Sequence, residues 1–161
     1  DPALWDARLI DEAERLLMRA GAAGVVGRFQ LEAAVQSAHV ARRATGRTDW
    51  AAIATLYDAL LAVTDSPVVA INRAVAVGEA EGSHAGLAAL DRVGHDRRMA
   101  EYQPYWAARA MLLARAGRCA EADHAYARAI GLEADPAVRD FLRRRRAELV
   151  SDGTGRPPAH G

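Results

Sequence analysis

The sequence predicts an all-α fold, a right-handed superhelical array of about four helical hairpins, or about eight helices. The first observation behind this reading is a constellation that occurs three times: Ala41, Ile53 and Tyr57; Ala74, Gly86 and Leu90; Ala110, Ala122 and Tyr126. Within each triple the offsets are twelve residues and then four, and the triples are displaced by 33 and then 36 positions. The second is the layout of each copy, a helix, a short break (46–48, 81–82 or 117–118) and a second helix. Small residues on the first helix and small or apolar ones on the second let the two approach closely, and Tyr57, Leu90 or Tyr126 fills the gap one turn later. The third is composition. With 51% hydrophobic but only 6% aromatic residues, the apolar content is dominated by helix formers such as alanine and leucine.

Taken in order, the first helix is expected over residues 2–20, with Asp1 as cap and Pro2 at the first helical position. Trp5, Leu9, Ala13, Leu16, Leu17 and Ala20 share one face at helical spacing. That stripe is expected to pack on the helix containing Phe29 and Leu31 and to close the N-terminal end of the array. Gly21, Gly24 and Gly27 then break the chain. Further helices are expected over 28–45, 49–63, 67–80, 83–93, 101–116, 118–132 and 136–150. Three starts use one device, an oxygen-bearing cap followed by proline: Asp1-Pro2, Ser66-Pro67 and Asp135-Pro136. In the last helix, Val138, Phe141, Leu142 and Leu149 mark an apolar face, and the arginines at 139 and 143–146 give a basic outer side that complements the helix dipole. The stem of Arg145 falls within the apolar stripe, where it covers neighbouring surface. Residues 151–161, SDGTGRPPAHG, have nothing to bury and are expected to be a disordered tail after a single helical domain at 1–150.

Charge narrows the function. Twenty-one basic residues, all of them arginine, balance 21 acidic ones to a formal net charge of zero, so a sequence-independent grip on phosphate backbones is not expected. One cysteine, Cys119, cannot form an internal disulfide. No apolar run approaches the roughly 20 residues that span a bilayer, and the start lacks the charged and apolar regions of a signal peptide. A cytoplasmic protein without membrane contact is expected. The chain begins at Asp1 rather than methionine, which points to a piece of a longer protein.

Residues capable of chemistry do not converge. His39, His84, His95, His124 and His160 are scattered, with no second ligand three or four positions away to complete a metal pair, and read as surface histidines. Cys119 opens a helix, where the dipole favours a thiolate, but no histidine lies close in sequence to activate it, and a small apolar filler explains it. The acidic neighbours Asp11 with Glu12 and Glu121 with Asp123 point in different directions around their helices and read as solvated charges. Gly21, Gly24 and Gly27 follow a helix rather than a strand and have no lysine, so they form no phosphate loop. No cofactor, metal or catalytic residue is expected, and an enzyme is the least favoured class.

Trp106, Ala110, Gly117, Ala122, Tyr126 and Ala129 fall at the consensus tryptophan, small, glycine, alanine, aromatic and alanine positions of a tetratricopeptide repeat, which this segment resembles. A longer stretch carries a second resemblance. Leu4-Trp5-Asp6, Asp49-Trp50, Leu56-Tyr57-Asp58, the run from Ser66 through Pro67, Val68 and Val69 to Ala70, and the run from Asn72 through Arg73, Ala74 and Val75 to Ala76 resemble the tetratricopeptide-like C-terminal extension of bacterial extracytoplasmic-function (ECF) sigma factors. This resemblance covers residues 4–149. It implies a regulatory or assembly module of transcription initiation whose partners are the sigma core regions, RNA polymerase or a signal. The promoter-reading regions of such factors are not in this chain, so the fragment alone is expected to bind no promoter. The alternative is a stand-alone tetratricopeptide adaptor unrelated to transcription.

Within that frame the candidate partner-binding residues are His39, Arg42, Asn72, Arg73, Arg109, Arg143 and Arg146. Arg73 and Arg109 occupy equivalent places, 36 residues apart, each just before the small packing residue of its copy, where an ordinary repeat is apolar. An uncompensated buried guanidinium is costly, so each must be paired or solvated. One reading is a structural ion pair with Asp58 or Asp91 on a neighbouring helix. The other places both, with Asn72 and His39, along a groove for an acidic segment or small anion. A mixed outcome is expected, Arg73 facing the partner and Arg109 structural. The arginines at 143–146 add a basic surface suited to an acidic partner.

Overall fold

The computed structural model describes Arg15, residues 28–38 and residues 48–153, and all of the regular structure among them is helical. Helix α1 covers 28–38, followed by α2 (Trp50–Val63), α3 (Pro67–Glu81), α4 (Ser83–Gly94), a 3-10 turn (Arg97–Glu101), α5 (Gln103–Arg115), α6 (Cys119–Leu132) and α7 (Pro136–Gly153). The chain groups into two compact units, Asp1–Ala89 and Leu90–Gly161.

Local chemistry sets the boundaries. Asp49 is not the first residue of α2 but its cap, its carboxylate accepting from the Ala52 amide at 2.9 Å. Ser66 accepts from the Val69 amide at 3.5 Å ahead of Pro67, and Asp135 accepts from Ala137 and Val138 at 2.8 and 3.4 Å ahead of Pro136. Two of the three proline-preceded caps therefore hold as read, and Asp1-Pro2 lies outside the described residues. At the end of α5, Gly117 has φ +73° and donates to Ala114, while Arg118 donates to Leu113. This paired closure of a helix end needs a left-handed residue, which glycine supplies without a Cβ clash. Gly82, at φ +102°, is the single residue linking α3 to α4.

Two expectations move. Glu101 does not open α5; it ends the 3-10 turn, held where Asp96 accepts from the Arg98 amide at 2.9 Å, and α5 starts at Gln103 with Pro104 in its first turn. Helix α7 runs through Gly153, three residues past the expected end at Val150, because nothing in Ser151-Asp152-Gly153 breaks a helix until the glycine. Of the helix expected over 2–20, Arg15 alone is described and is helical. In α1, Leu31 is fully buried and Phe29 is 63% exposed; the expected packing of the 2–20 stripe on this helix lies outside the described residues.

In the first unit, α2 and α3 form an antiparallel hairpin whose core joins Leu31, Val35 and Ala38 of α1 to Ile53, Leu56, Ala59 and Leu60 of α2 and to Ala76 and Val77 of α3. In the second, α5 and α6 pair, α7 packs on α6, and Leu90, Tyr105, Leu112, Leu113, Tyr126 and Leu142 are buried. Each large side chain withdrawn from water in this way stabilises by about 1.5–3 kcal/mol. The repeated triples mark these interiors: Ile53, Ala74, Gly86, Leu90, Ala110, Ala122 and Tyr126 are buried and Tyr57 is half-buried, while Ala41 lies outside the described residues.

Candidate protein-interaction surface

Helix packing alone brings each repeated arginine to a carboxylate. Arg73 of α3 donates through Nε to Asp58 of α2. Arg109 of α5 donates through Nη1 to Asp91 of α4 at 2.5 Å and to the Tyr105 hydroxyl at 3.5 Å. Each aspartate directly follows a gap-filling residue, Tyr57 or Leu90, and each arginine directly precedes a small one, Ala74 or Ala110. Each charged pair is therefore flanked in sequence by residues that are buried or, for Tyr57, half-buried. Burial lowers the Arg109 pKa, but the Asp91 carboxylate and Tyr105 outweigh it and carry it above the ordinary guanidinium value.

The ion-pair reading fits both arginines: Arg73 is paired as Arg109 is, its side chain 27% exposed against 23% for Arg109, so the expected difference between the two does not show in their pairing or exposure. Asn72, beside it on α3, is exposed. His39 and Arg42 lie outside the described residues.

The basic run of α7 separates into distinct environments. Arg143 pairs with Asp140 of its own helix at 3.1 Å, both well exposed. Arg146 reaches across to α6 and grips Asp123 with two bonds, Nε–Oδ1 at 2.6 Å and Nη2–Oδ2 at 2.9 Å. These bonds hold the Asp123 carboxyl below the usual carboxylate range and raise the guanidinium. Arg139 donates to the Glu133 carbonyl at 2.6 and 3.1 Å, satisfying acceptors that the end of α6 leaves open. Arg145 lies on the exposed surface, bonded to Glu148 at 2.8 Å. Arg144, Val138 and Phe141 are exposed with it, so the apolar face read from the sequence divides: Leu142 turns inward, and Val138 and Phe141 face solvent.

Two features have no counterpart in the sequence reading. Glu121 and Asp123, read as solvated, are both paired, Glu121 with Arg118 at 2.6 and 2.7 Å. Trp106 donates to the Ala100 carbonyl at 3.0 Å, Arg128 donates to the same oxygen at 2.8 Å and lies over the Trp106 ring at 5.3 Å, and His124 meets the ring edge-on. The cluster fastens the 3-10 turn to α5 and α6. Its members sit 4 and 18 to 22 positions apart, and the shared acceptor is a backbone carbonyl, which no side-chain pattern reveals.

Cys119 is half-buried at the start of α6. Among the described residues no group of three or more His, Cys, Asp or Glu side chains is placed to hold a metal ion, and no helix is long and apolar enough to cross a membrane.

No protein-family model matches the chain, and no solved structure matches it. An uncharacterized protein of Rhizobium meliloti (strain 1021) is 35% identical over 152 residues, which is 94% of this chain. The chain spans 36% of the length of that relative.

Proposed function

We propose that this chain is a non-catalytic regulatory and protein-interaction domain of an ECF sigma factor, built as a tetratricopeptide-like right-handed superhelix and acting in the bacterial cytoplasm. Its partners are the sigma core regions, RNA polymerase or a signalling protein, and it reads no promoter by itself. The observation that carries the reading is the resemblance of residues 4–149, from Leu4-Trp5-Asp6 to the stretch around Asn72-Arg73-Ala74, to the extension of those factors. The helical hairpins with small residues at their buried contacts support it, since stacked hairpins present broad surfaces to other macromolecules.

The test is transcription in vitro with the longer protein to which the chain belongs. The expected result is promoter-specific initiation with core RNA polymerase that falls when residues 1–150 are deleted, and capture of polymerase or sigma core regions by the isolated chain. The chain alone is expected to give no specific band with promoter DNA at physiological salt. Submicromolar promoter binding by the fragment, or a longer protein that neither binds polymerase nor initiates, overturns the assignment.

A further inference from the structure

Residues 73, 109 and 145 are arginines at a constant step of 36, one on each of α3, α5 and α7. On α5 this register is fully seated against α4. Arg109 reaches Asp91, and Tyr105, one turn earlier, is only 7% exposed. Tyr105 lies over Gly94, where an added Cβ would stand 2.5 Å from its hydroxyl. Thirty-six residues on, Phe141 and Arg145 of α7 take the places of Tyr105 and Arg109, while Ala127 and Ile130 of α6 take those of Asp91 and Gly94. Helix α7 carries the groups, but α6 lacks both receptors. Alanine offers no carboxylate, and a branched side chain fills the hollow that a glycine leaves.

The exposures follow. Phe141 is 52% exposed, and the Arg145 side chain is 47% exposed, twice the 23% of Arg109. Arg145 bonds to Glu148 of its own helix and contacts Tyr126. With Val138 at 39% exposure one turn before Phe141, and the exposed Arg144 beside Arg145, α7 shows solvent a strip that is apolar at one end and at the other carries Arg144 and an Arg145 whose carboxylate partner is the exposed Glu148 of its own helix.

We propose that this strip, Val138–Phe141–Arg145, docks an acidic helix of a partner protein that supplies what α6 lacks, a carboxylate for Arg145 and, three positions later, a small residue beneath Phe141. The spacing is that of Asp91 and Gly94 on α4. A second copy of this chain using the same strip fits poorly, because across a two-fold axis the apolar Val138 end would face Arg144 and Arg145 and offer those guanidiniums no carboxylate. The assignment rests on the interaction-domain reading and names the chemistry of one partner surface.

The probe is a fluorescein-labelled, alanine-rich helical peptide with Asp and Ala three positions apart and flanking glutamates, titrated into the full chain at physiological salt and read by anisotropy. Saturable binding is expected, weakened about tenfold or more by Phe141→Ser and by Arg145→Gln with unchanged melting temperatures. Val68→Ser and Arg92→Gln, at exposed positions elsewhere, should leave it unaltered. No binding, equal binding of a peptide with Asn and Gln in place of its acids, or insensitivity to both α7 substitutions overturns the proposal. Sedimentation showing a dimer that Phe141→Ser dissociates overturns it too, in favour of a second copy as occupant. Capture of polymerase or sigma core regions that survives both substitutions sinks this surface and leaves the interaction-domain reading standing, whereas failure of the unaltered chain to capture either bears on that reading alone.

Discussion

Arg109 of α5 meets Asp91 of α4 at 2.5 Å, each residue directly beside a buried apolar one, Ala110 and Leu90. The guanidinium is mostly covered but the carboxylate is 58% exposed, so water screens the pair and its worth is that of a surface ion pair rather than a buried one. In a double-mutant cycle of Arg109→Met and Asp91→Asn, followed by urea unfolding, the coupling energy is expected to be about 1 kcal/mol or less. A coupling of about 3 kcal/mol or more would mean that the pair is dry and structural in the stronger sense.

Gly94 should tolerate no side chain while Tyr105 keeps its hydroxyl, because a Cβ would lie 2.5 Å from that oxygen and 3.3 Å from the ring carbon bearing it. Gly94→Ala is expected to destabilise by about 1–3 kcal/mol as an overpacking change. Tyr105→Phe in the same background should recover part of the loss, and a Gly94→Ala protein that melts like the parent refutes the contact.

Ala110 and Ala122 are fully buried at equivalent positions of the α5–α6 hairpin. Enlarging either to leucine must push the helices apart, at about 1–3 kcal/mol, whereas Ala120→Leu, on the exposed side of α6, should cost nothing measurable. Equal melting temperatures for the three variants would show that the repeated small residues do not set the helix separation.

Stability should depend on pH at both extremes. Asp96, Glu121 and Asp123 are held below the ordinary carboxylate value by hydrogen bonds from Arg98, Arg118 and Arg146 respectively. A carboxylate lowered in the folded state contributes fully above its unfolded value, about 4, and loses that contribution as pH falls through the folded value. Burial raises Tyr57 and Tyr126, so their contribution is complete below about 10 and is lost as pH rises through the folded value. Thermal melts are expected to be flat between these limits and to decline beyond each. Asp123→Asn should reduce the acid decline and Tyr126→Phe the alkaline one; unchanged slopes in both would dissociate these groups from the pH response.

Helix boundaries were legible in the sequence wherever a short-range device writes them: Ser66-Pro67, Asp135-Pro136 and the glycine break at Gly117 fall within a residue or two of the observed ends. Burial was legible through the period, since Ala74, Ala110 and Ala122 are each buried as their register requires. The candidate surface was less so. Asp58 and Asp91 were identifiable as partners because the repeat fixes which helices meet, but how far each arginine stays exposed was not, since that depends on how far one helix overhangs the next. Asp123 was missed because its partner, Arg146, lies 23 residues away and looks like one member of a basic run. The solvent-facing Phe141 was misread for a related reason: an apolar stripe records which face a helix would bury, not whether the adjacent helix has room to receive it.

The joints between successive helices also bear on how such a chain changes length. Because Asp58 with Arg73 and Asp91 with Arg109 keep the same places relative to the packing residues around them, residues 74–109 begin just after one arginine and finish on the next. Excision of that segment would carry Arg73 directly into Ala110 and leave the sequence register of the joint intact, and duplication would insert another copy with a ready-made neighbour. In sequence, one copy is thus a self-matching unit: it carries both the aspartate and the arginine of a joint, so copying it requires no new complementary charges to arise on two helices at once.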